Sequence, residues 1–410
     1  MAVDFVLRNA LVAGHSGPVA IAVAAGRIAA VSADRDPGPD IPSEDAGGRF
    51  VCAGLVETHI HLDKAGIMGR CRLCAGTLAE AVAETARAKA AFTVEDVHAR
   101  ATAVVAKAVL AGTTRLRTFV EIDPRAGFRS FEAVKAVRRD FAGILDIEIC
   151  AFAQEGLTQE PDTEAMLDAA LEDGADLVGG CPYTDPDPAA HIRRVFDLAA
   201  RHGVAVDFHL DFDLDPAGPN LPTVIAETRA RGYAGRVSVG HVTKLSALPP
   251  DAFEAAGRAM AEAGVAVTVL PATDLYLTGR SATHLVPRGV TPAHRLAALG
   301  VTATVATNNV LNPFTPYGDA SLVRMANLYA TVAQVGTEEG LAAVFGMVTD
   351  AAARLLGHRD YGLAPGNPAD LVLLDAASPA EAVAVIAQPL AVWKRGVKTV
   401  DRPPARILLR

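Results

Sequence analysis

From about residue 50 to residue 350 the chain alternates short apolar, β-rich runs with Ala-rich amphipathic stretches, and this alternation dictates a parallel sheet flanked by helices. Eight runs read as strands: "RFVCAGLVETHIHL", "TTRLRTFVEI", "DIEICAFAQEG", "ADLVGG", "VAVDFHLDF", "RVSVGHV", "VAVTVLPATD" and "VTATVATNNV". Between them, stretches such as "TLAEAVAETARAKAAF", "DTEAMLDAALEDG", "AAHIRRVFDLAARHG" and "PDAFEAAGRAMAEAG" have helical spacing. Several end in the glycine expected just past a helix C-terminus. Eight such units predict an α/β fold with a closed (β/α)8 barrel over residues 53–357.

The two ends read differently. "DFVLRNALVAG" and "VAIAVAAGRIAAV" near the start, and "YGLAPGNPADLVLLD", "PLAVWKRGVKTV" and "ARILLR" near the end, are short strands with Pro and Gly punctuation. Residues 1–52 and 358–410 are therefore expected to pair into one small β-sandwich beside the barrel. A chain of 410 residues, 50% of them hydrophobic, can bury a core of this size.

Charge and cysteine usage narrow the function. The net charge is −9 without long runs of like charge, and no basic stretch with aromatic interleaving predicts a nucleic-acid partner. Asp4 and Arg8 interrupt any signal-like core, and no window approaches about 18 uninterrupted apolar residues, so a cytoplasmic protein without a membrane partner is expected. The five cysteines do not suggest a disulfide framework. Cys71 and Cys74 form a C-x-x-C with no second pair, which reads as two free thiols in a loop.

In such a barrel, catalytic groups lie at the C-terminal ends of the strands. The polar residues there are His59, His61 and Asp63 on the first run, Gln154 and Glu155 on the third, and His209, Asp211 and Asp213 on the fifth. His241 ends the sixth, and Asn308 and Asn309 the eighth. Alternate strand residues share a face, so the His-x-His pair projects two imidazoles into one volume. With single histidines at two further strand ends, these groups predict one divalent metal ion, zinc first, with iron or manganese as alternatives. No lysine ends the fourth run, so no carbamylated lysine bridging two metals is expected. A single ion would lower the pKa of a bound water towards about 7.

These segments resemble the amidohydrolase superfamily, and within it the branch of cytosine deaminase and N-isopropylammelide isopropylaminohydrolase. "GLVETHIHLDK" is similar to that branch's first-strand metal motif, "AFAQEG" to its third-strand segment, "DFHLD" and "GHVTK" to its fifth and sixth strands, and "NNVLNPFTPYGD" to its eighth-strand turn. The resemblance implies that His59, His61 and His209 are metal ligands, that His241 polarises or orients the substrate, and that Gln154 hydrogen-bonds a heterocyclic amide. Lys64 matches a lysine of the isopropylammelide enzyme. A homo-oligomer is implied in the same way.

The departures are informative. Asn308 stands where the family has an aspartate; its amide oxygen can bind the metal but cannot take up a proton near neutral pH. Asn309 replaces a second polar position that is often a carboxylate, Phe212 the proton-shuttling glutamate of cytosine deaminase, and Phe119 a second-strand histidine. Cytosine deamination itself is therefore not expected. Asp211, on the face of His209, is the first choice to move the proton, with Asp213, Glu155, Asp63 and His241 as the other candidates. Asp274, Tyr276, Arg280, Phe314 and Tyr317 fall near the mouth, and with Lys64, Gln154, Phe212 and Asn309 predict a pocket for a small, flat or compact substrate. The expected activity is mononuclear metal-dependent hydrolysis of a carbon–nitrogen bond in a small heterocycle. A metal-dependent lyase, isomerase or cyclase and a catalytically silent binding protein are the alternatives.

Overall fold

The computed structural model describes residues 2–34, 40–403, 405, 407 and 408. Four strands open the chain: β1 (Phe5–Leu11), β2 (Val19–Ala24), β3 (Arg27–Ala33) and β4 (Ser43–Ala53). Eight more follow at the expected runs: β5 (Leu55–Ile60), β6 (Thr113–Glu121), β7 (Asp146–Ala153), β8 (Leu177–Gly180), β9 (Ala205–Leu210), β10 (Val237–His241), β11 (Val265–Val269) and β12 (Ala303–Val305). These eight lie side by side in chain order, each parallel to the next.

The barrel closes between its first and last strands at the residues of interest. Ile60 bridges Asn308, the Asn308 amide donates to the His59 carbonyl at 2.8 Å, and the His61 amide donates to the Asn308 carbonyl at 2.9 Å. Below this seam the buried Glu57 carboxylate accepts from the amides of His59 and Thr307 at 3.0 and 3.2 Å. Helices cover the outside as their spacing predicts. Those at Pro188–His202 and Pro250–Ala263 end at Gly203 (φ 68°) and Gly264 (φ 69°), left-handed positions that glycine takes without steric cost. Each buried Val, Leu or Ile side chain between helix and sheet contributes roughly 1.5–3 kcal/mol.

The first apolar run is not one strand. "RFVCA" ends β4 in the terminal sheet, and after Gly54 the chain enters the barrel as β5. A Cβ on Gly54 would stand 2.0 Å from Thr114 Oγ1, so only glycine passes this crossing.

The chain ends, with β13 (Leu371–Leu374), β14 (Pro389–Lys394) and β15 (Val397–Asp401), form a seven-stranded sheet in the order β15-β14-β13-β4-β1-β2-β3. It is one sheet folded over on itself, because the long β4 hydrogen-bonds both β1 and β13 and ties the two ends together. The fold brings Leu7, Ile21, Val51, Leu371 and Trp393 into one core, with Phe5 stacked on Trp393 at 6.2 Å. The last expected strand, "ARILLR", is not formed at its described positions 405, 407 and 408; the rest lies outside the described residues. No helix among the described residues is long and apolar enough to cross a membrane.

Candidate metal centre and active site

The ends of β5 and β9 bring three buried imidazoles to one point. His209 Nε2 lies 3.0 Å from His59 Nε2 and 2.9 Å from His61 Nε2. Desolvation holds all three rings well below the ordinary histidine pKa, and the neutral imidazole is the metal-binding form. Their Nδ1 atoms and the Oδ1 of Asn308 are buried without a hydrogen-bond partner. Three neutral nitrogens converging beside an orphaned amide oxygen fit a divalent cation.

The surroundings make room for this cluster and little else. Phe119 packs on the His59 ring with centroids 4.0 Å apart, and Phe152 on His209 at 4.2 Å. A Cβ on Gly240 would stand 2.9 Å from His59 Cε1, so the backbone of β10 must be bare there.

Four non-glycine residues at the strand ends take left-handed backbone conformations: Asp211 (φ 52°), His241 (φ 69°), Val242 (φ 45°) and Asn308 (φ 63°). Such strain persists only where the surrounding structure fixes it, and it clusters at functional sites. At His241 the fixing groups are Thr291, whose hydroxyl donates to the His241 and Val242 carbonyls at 3.2 and 2.9 Å, and Asp274. Asp274 lies in the short helix Pro271–Leu277 that follows β11, and its Oδ1 is 2.5 Å from His241 Nδ1. Burial pushes the Asp274 carboxyl above its ordinary pKa, and His241 pulls it back. The far ring nitrogen, His241 Nε2, is 3.5 Å from Asn308 Nδ2.

A small cavity opens over this cluster. Nine of the sequence-predicted site residues line it: His61, Lys64, Gln154, His209, Phe212, His241, Asn308, Asn309 and Phe314; Asp274, Tyr276, Arg280 and Tyr317 do not. His59 does not line it but contacts the lining His209. Lys64 Nζ donates to Glu121 Oε1 at 2.7 Å and Gln154 Oε1 at 3.3 Å, and sits 4.5 Å from the centre of the Phe314 ring. Phe212 meets the His241 ring edge-on at 4.5 Å. The Asn309 side-chain oxygen accepts from Asn312 at 2.7 Å, which holds the turn after β12.

Asp211 is placed elsewhere. β9 ends at Leu210, and the left-handed Asp211 breaks the alternation that would have set it on the face of His209. Its two oxygens accept from the amides of Asn220 and Leu221, at the start of the helix Leu221–Arg231. Three other carboxylate candidates are engaged as well: Asp213 with Lys244, Glu155 with Lys89 and Arg125, and Asp63 with the amides of Lys64 and Glu121. Among the described residues lining the cavity none is a carboxylate.

Sequence reasoning gave Asp274 only a place near the mouth and left Glu121 and Lys89 unmarked. A glutamate near the end of the strand-like run "TTRLRTFVEI" was a visible signal for Glu121; nothing local signals Lys89, the last residue of the helix Leu78–Lys89. Tyr183, Thr273, Leu78 and Leu277 also line the cavity, from loops and helices whose approach depends on the closed barrel.

Comparison with known proteins agrees with the fold. Residues 130–400 match the sequence model of the amidohydrolase family. The N-isopropylammelide isopropyl amidohydrolase of Pseudomonas sp. (strain ADP) is 27% identical over 408 residues, covering 96% of each chain. The crystal structure of 5-methylcytosine deaminase from Klebsiella pneumoniae liganded with 5-fluorocytosine superposes with a TM-score of 0.94 at 28% identity, covering 99% of each chain. That of N-isopropylammelide isopropylaminohydrolase from Burkholderia multivorans has a TM-score of 0.85 at 31% identity, covering 96% of this chain and 97% of the other.

Proposed function

The chain belongs to the amidohydrolase family, hydrolases of carbon–nitrogen bonds, and from that premise we propose that it releases an amine from a ring carbon of a small, flat heterocycle, with His241 and Asp274 handling the proton. A divalent ion, zinc by the nitrogen-rich donor set, held by His59, His61 and His209 with Asn308 as a fourth donor, would supply Lewis acidity and bring the pKa of a water towards about 7.

The observation that carries the reading is the pair at the cavity wall. With Asp274 accepting from Nδ1, His241 keeps its lone pair on Nε2, the nitrogen on the Asn308 side. In a cavity without a lining carboxylate, His241 Nε2 takes the proton from the attacking water and returns it to the leaving amine. Asp274 stabilises the imidazolium formed between these steps without taking the proton itself. Lys64 and Gln154 hold the polar edge of the ring, while Phe212 and Phe314 exclude water from its faces. The names of the relatives, an isopropylammelide amidohydrolase and a 5-methylcytosine deaminase, support an amino- or alkylamino-substituted oxo ring as substrate. The five free cysteines suit a reducing, cytoplasmic setting.

The test is turnover in oxygen-18 water across aminopyrimidines, aminotriazines and pterins. Label in the ring product with release of amine is expected, and turnover without label overturns hydrolysis. Asp274→Asn removes the acceptor that sets the tautomer and is expected to lower kcat about a hundredfold or more with metal content unchanged. An unchanged kcat would remove the pair from the reaction.

A further inference from the structure

A chain of buried charges runs from the cavity wall into the protein. Lys64, Glu121 and Lys89 are each 3% exposed or less. Glu121 accepts from Lys64 with one oxygen at 2.7 Å and from Lys89 with the other at 3.0 Å. Lys89 also contacts Asp123 at 2.6 Å and Glu155, and Arg125 joins Glu155 to Glu160 nearer the surface. Glu121, Asp123 and Glu155 lie close enough together to hold a metal ion, but the Lys89 ammonium already stands among them. This acidic cluster is therefore an internal cage for a lysine.

We infer that Glu121 and Lys89 are positioning residues, which hold the Lys64 ammonium at the cavity wall as a fixed donor to an oxygen of the substrate ring. The inference rests on the reading of this cavity as the substrate site. A lysine has four rotatable bonds and a strongly hydrated head group, and burying that head group is tolerated only beside an anion. Glu121 supplies the anion at the end of β6, and its backbone amide donates to Asp63 at 2.9 Å, which fixes the strand end itself. Lys89 takes the second Glu121 oxygen and so leaves the carboxylate one orientation. Although burial pushes the other way, the two lysines hold the Glu121 carboxyl down at about 2, so it stays an anion. Against the same pull of burial, Glu121, Asp123 and Glu155 hold Lys89 above the ordinary lysine range.

The direction of the ammonium is then set from three sides. Glu121 and Gln154 take two of its three donors, and the Phe314 ring lies against it. Gln154 is itself fixed, because its Nε2 donates to Cys181 Sγ at 3.5 Å and leaves Oε1 facing Lys64. The remaining donor selects a ring with an oxygen, neutral or anionic, on the edge that meets Lys64, and discriminates against rings bearing only amino or carbon substituents there.

The probes are barbiturate, an anionic trioxopyrimidine at neutral pH, and 2-aminopyrimidine, a ring of the same size without oxygen. Each is titrated calorimetrically into the metal-loaded wild type and into Lys64→Met, Glu121→Gln, Lys89→Met and Lys89→Arg. Lys64→Met and Glu121→Gln are expected to weaken barbiturate about tenfold or more and to leave 2-aminopyrimidine unchanged. Lys89→Met should fall between Glu121→Gln and wild type, and Lys89→Arg, which keeps the charge, should bind barbiturate within about threefold of wild type. Equal barbiturate binding by wild type and Glu121→Gln overturns the inference. So does equal weakening of both probes, which would mean a collapsed pocket, and so does a wild type that does not bind barbiturate. Binding needs no turnover, whereas the oxygen-18 result bears on hydrolysis alone, so either reading can fail while the other stands.

Discussion

The barrel treats its buried polar groups differently at its two ends. In the lower half Arg117 is paired with Glu148 at 3.1 Å and Asp207 at 3.2 Å, and Ser238 donates to Asp207 at 2.5 Å. The protein thus supplies an anion for a cation that it buries. At the mouth, three imidazoles turn their Nε2 atoms on one another at 2.9–3.0 Å, and Asn308 Oδ1 is buried without a hydrogen-bond partner. Burying polar groups without partners costs stability, and proteins do so chiefly where something else provides the partner. The lower network pairs its buried cation with protein anions, although Asp207 Oδ1 is left without a hydrogen bond; at the mouth three nitrogens converge with no protein group between them.

Breaking the mouth should have the largest effect on activity. His209→Ala removes the ring shared by both close contacts and is expected to lose the metal and to lower kcat/KM at least about a thousandfold, some 4 kcal/mol of barrier. A variant that keeps metal and activity would dissolve the contrast. Breaking the lower network should act on stability instead. Arg117→Met strands Asp207 and Glu148 and is expected to cost about 3–5 kcal/mol in urea unfolding, with activity per folded molecule retained.

Asn308→Asp sharpens the contrast, because it gives the mouth the anion that it lacks. It is expected to tighten metal binding roughly tenfold, measured by competition with a chelator. Unchanged affinity would take Asn308 out of the donor set. The smallest effect belongs to the surface, where Arg70 and Arg100 hold the Asp96 carboxyl down at about 2 from an ordinary 3.8. A carboxylate lowered in this way stabilises the fold above its ordinary value and loses that contribution as pH falls towards about 2. Asp96→Asn should therefore lower Tm slightly at pH 7 and not at pH 2, a change within the range of surface pairs. A gap that widens in acid would contradict the sign.

The barrel strands were legible in the sequence because a parallel sheet buried on both faces writes each strand as an apolar run between helical patterns. The His-x-His pair was legible for the same reason, since polar residues stand out at the end of such a run. The passage at Gly54 was not, because both flanking strands are apolar and the crossing depends on Thr114, 60 residues away. The position of Asp211 was not legible because strand alternation stops at Leu210, where the chain enters a left-handed turn. The partners His241–Asp274 and Lys64–Glu121–Lys89 join residues 32 to 57 apart, and no local pattern encodes such contacts.

The central claim is that His59, His61 and His209 hold one divalent ion. Elemental analysis of the purified protein, combined with X-ray absorption at the edge of the metal found, tests it most directly. The account predicts one ion per chain with imidazole nitrogens in its coordination shell, lost in His209→Ala. A protein that is metal-free as purified, takes up no divalent ion on addition, and unfolds at the same temperature with or without a chelator would contradict it.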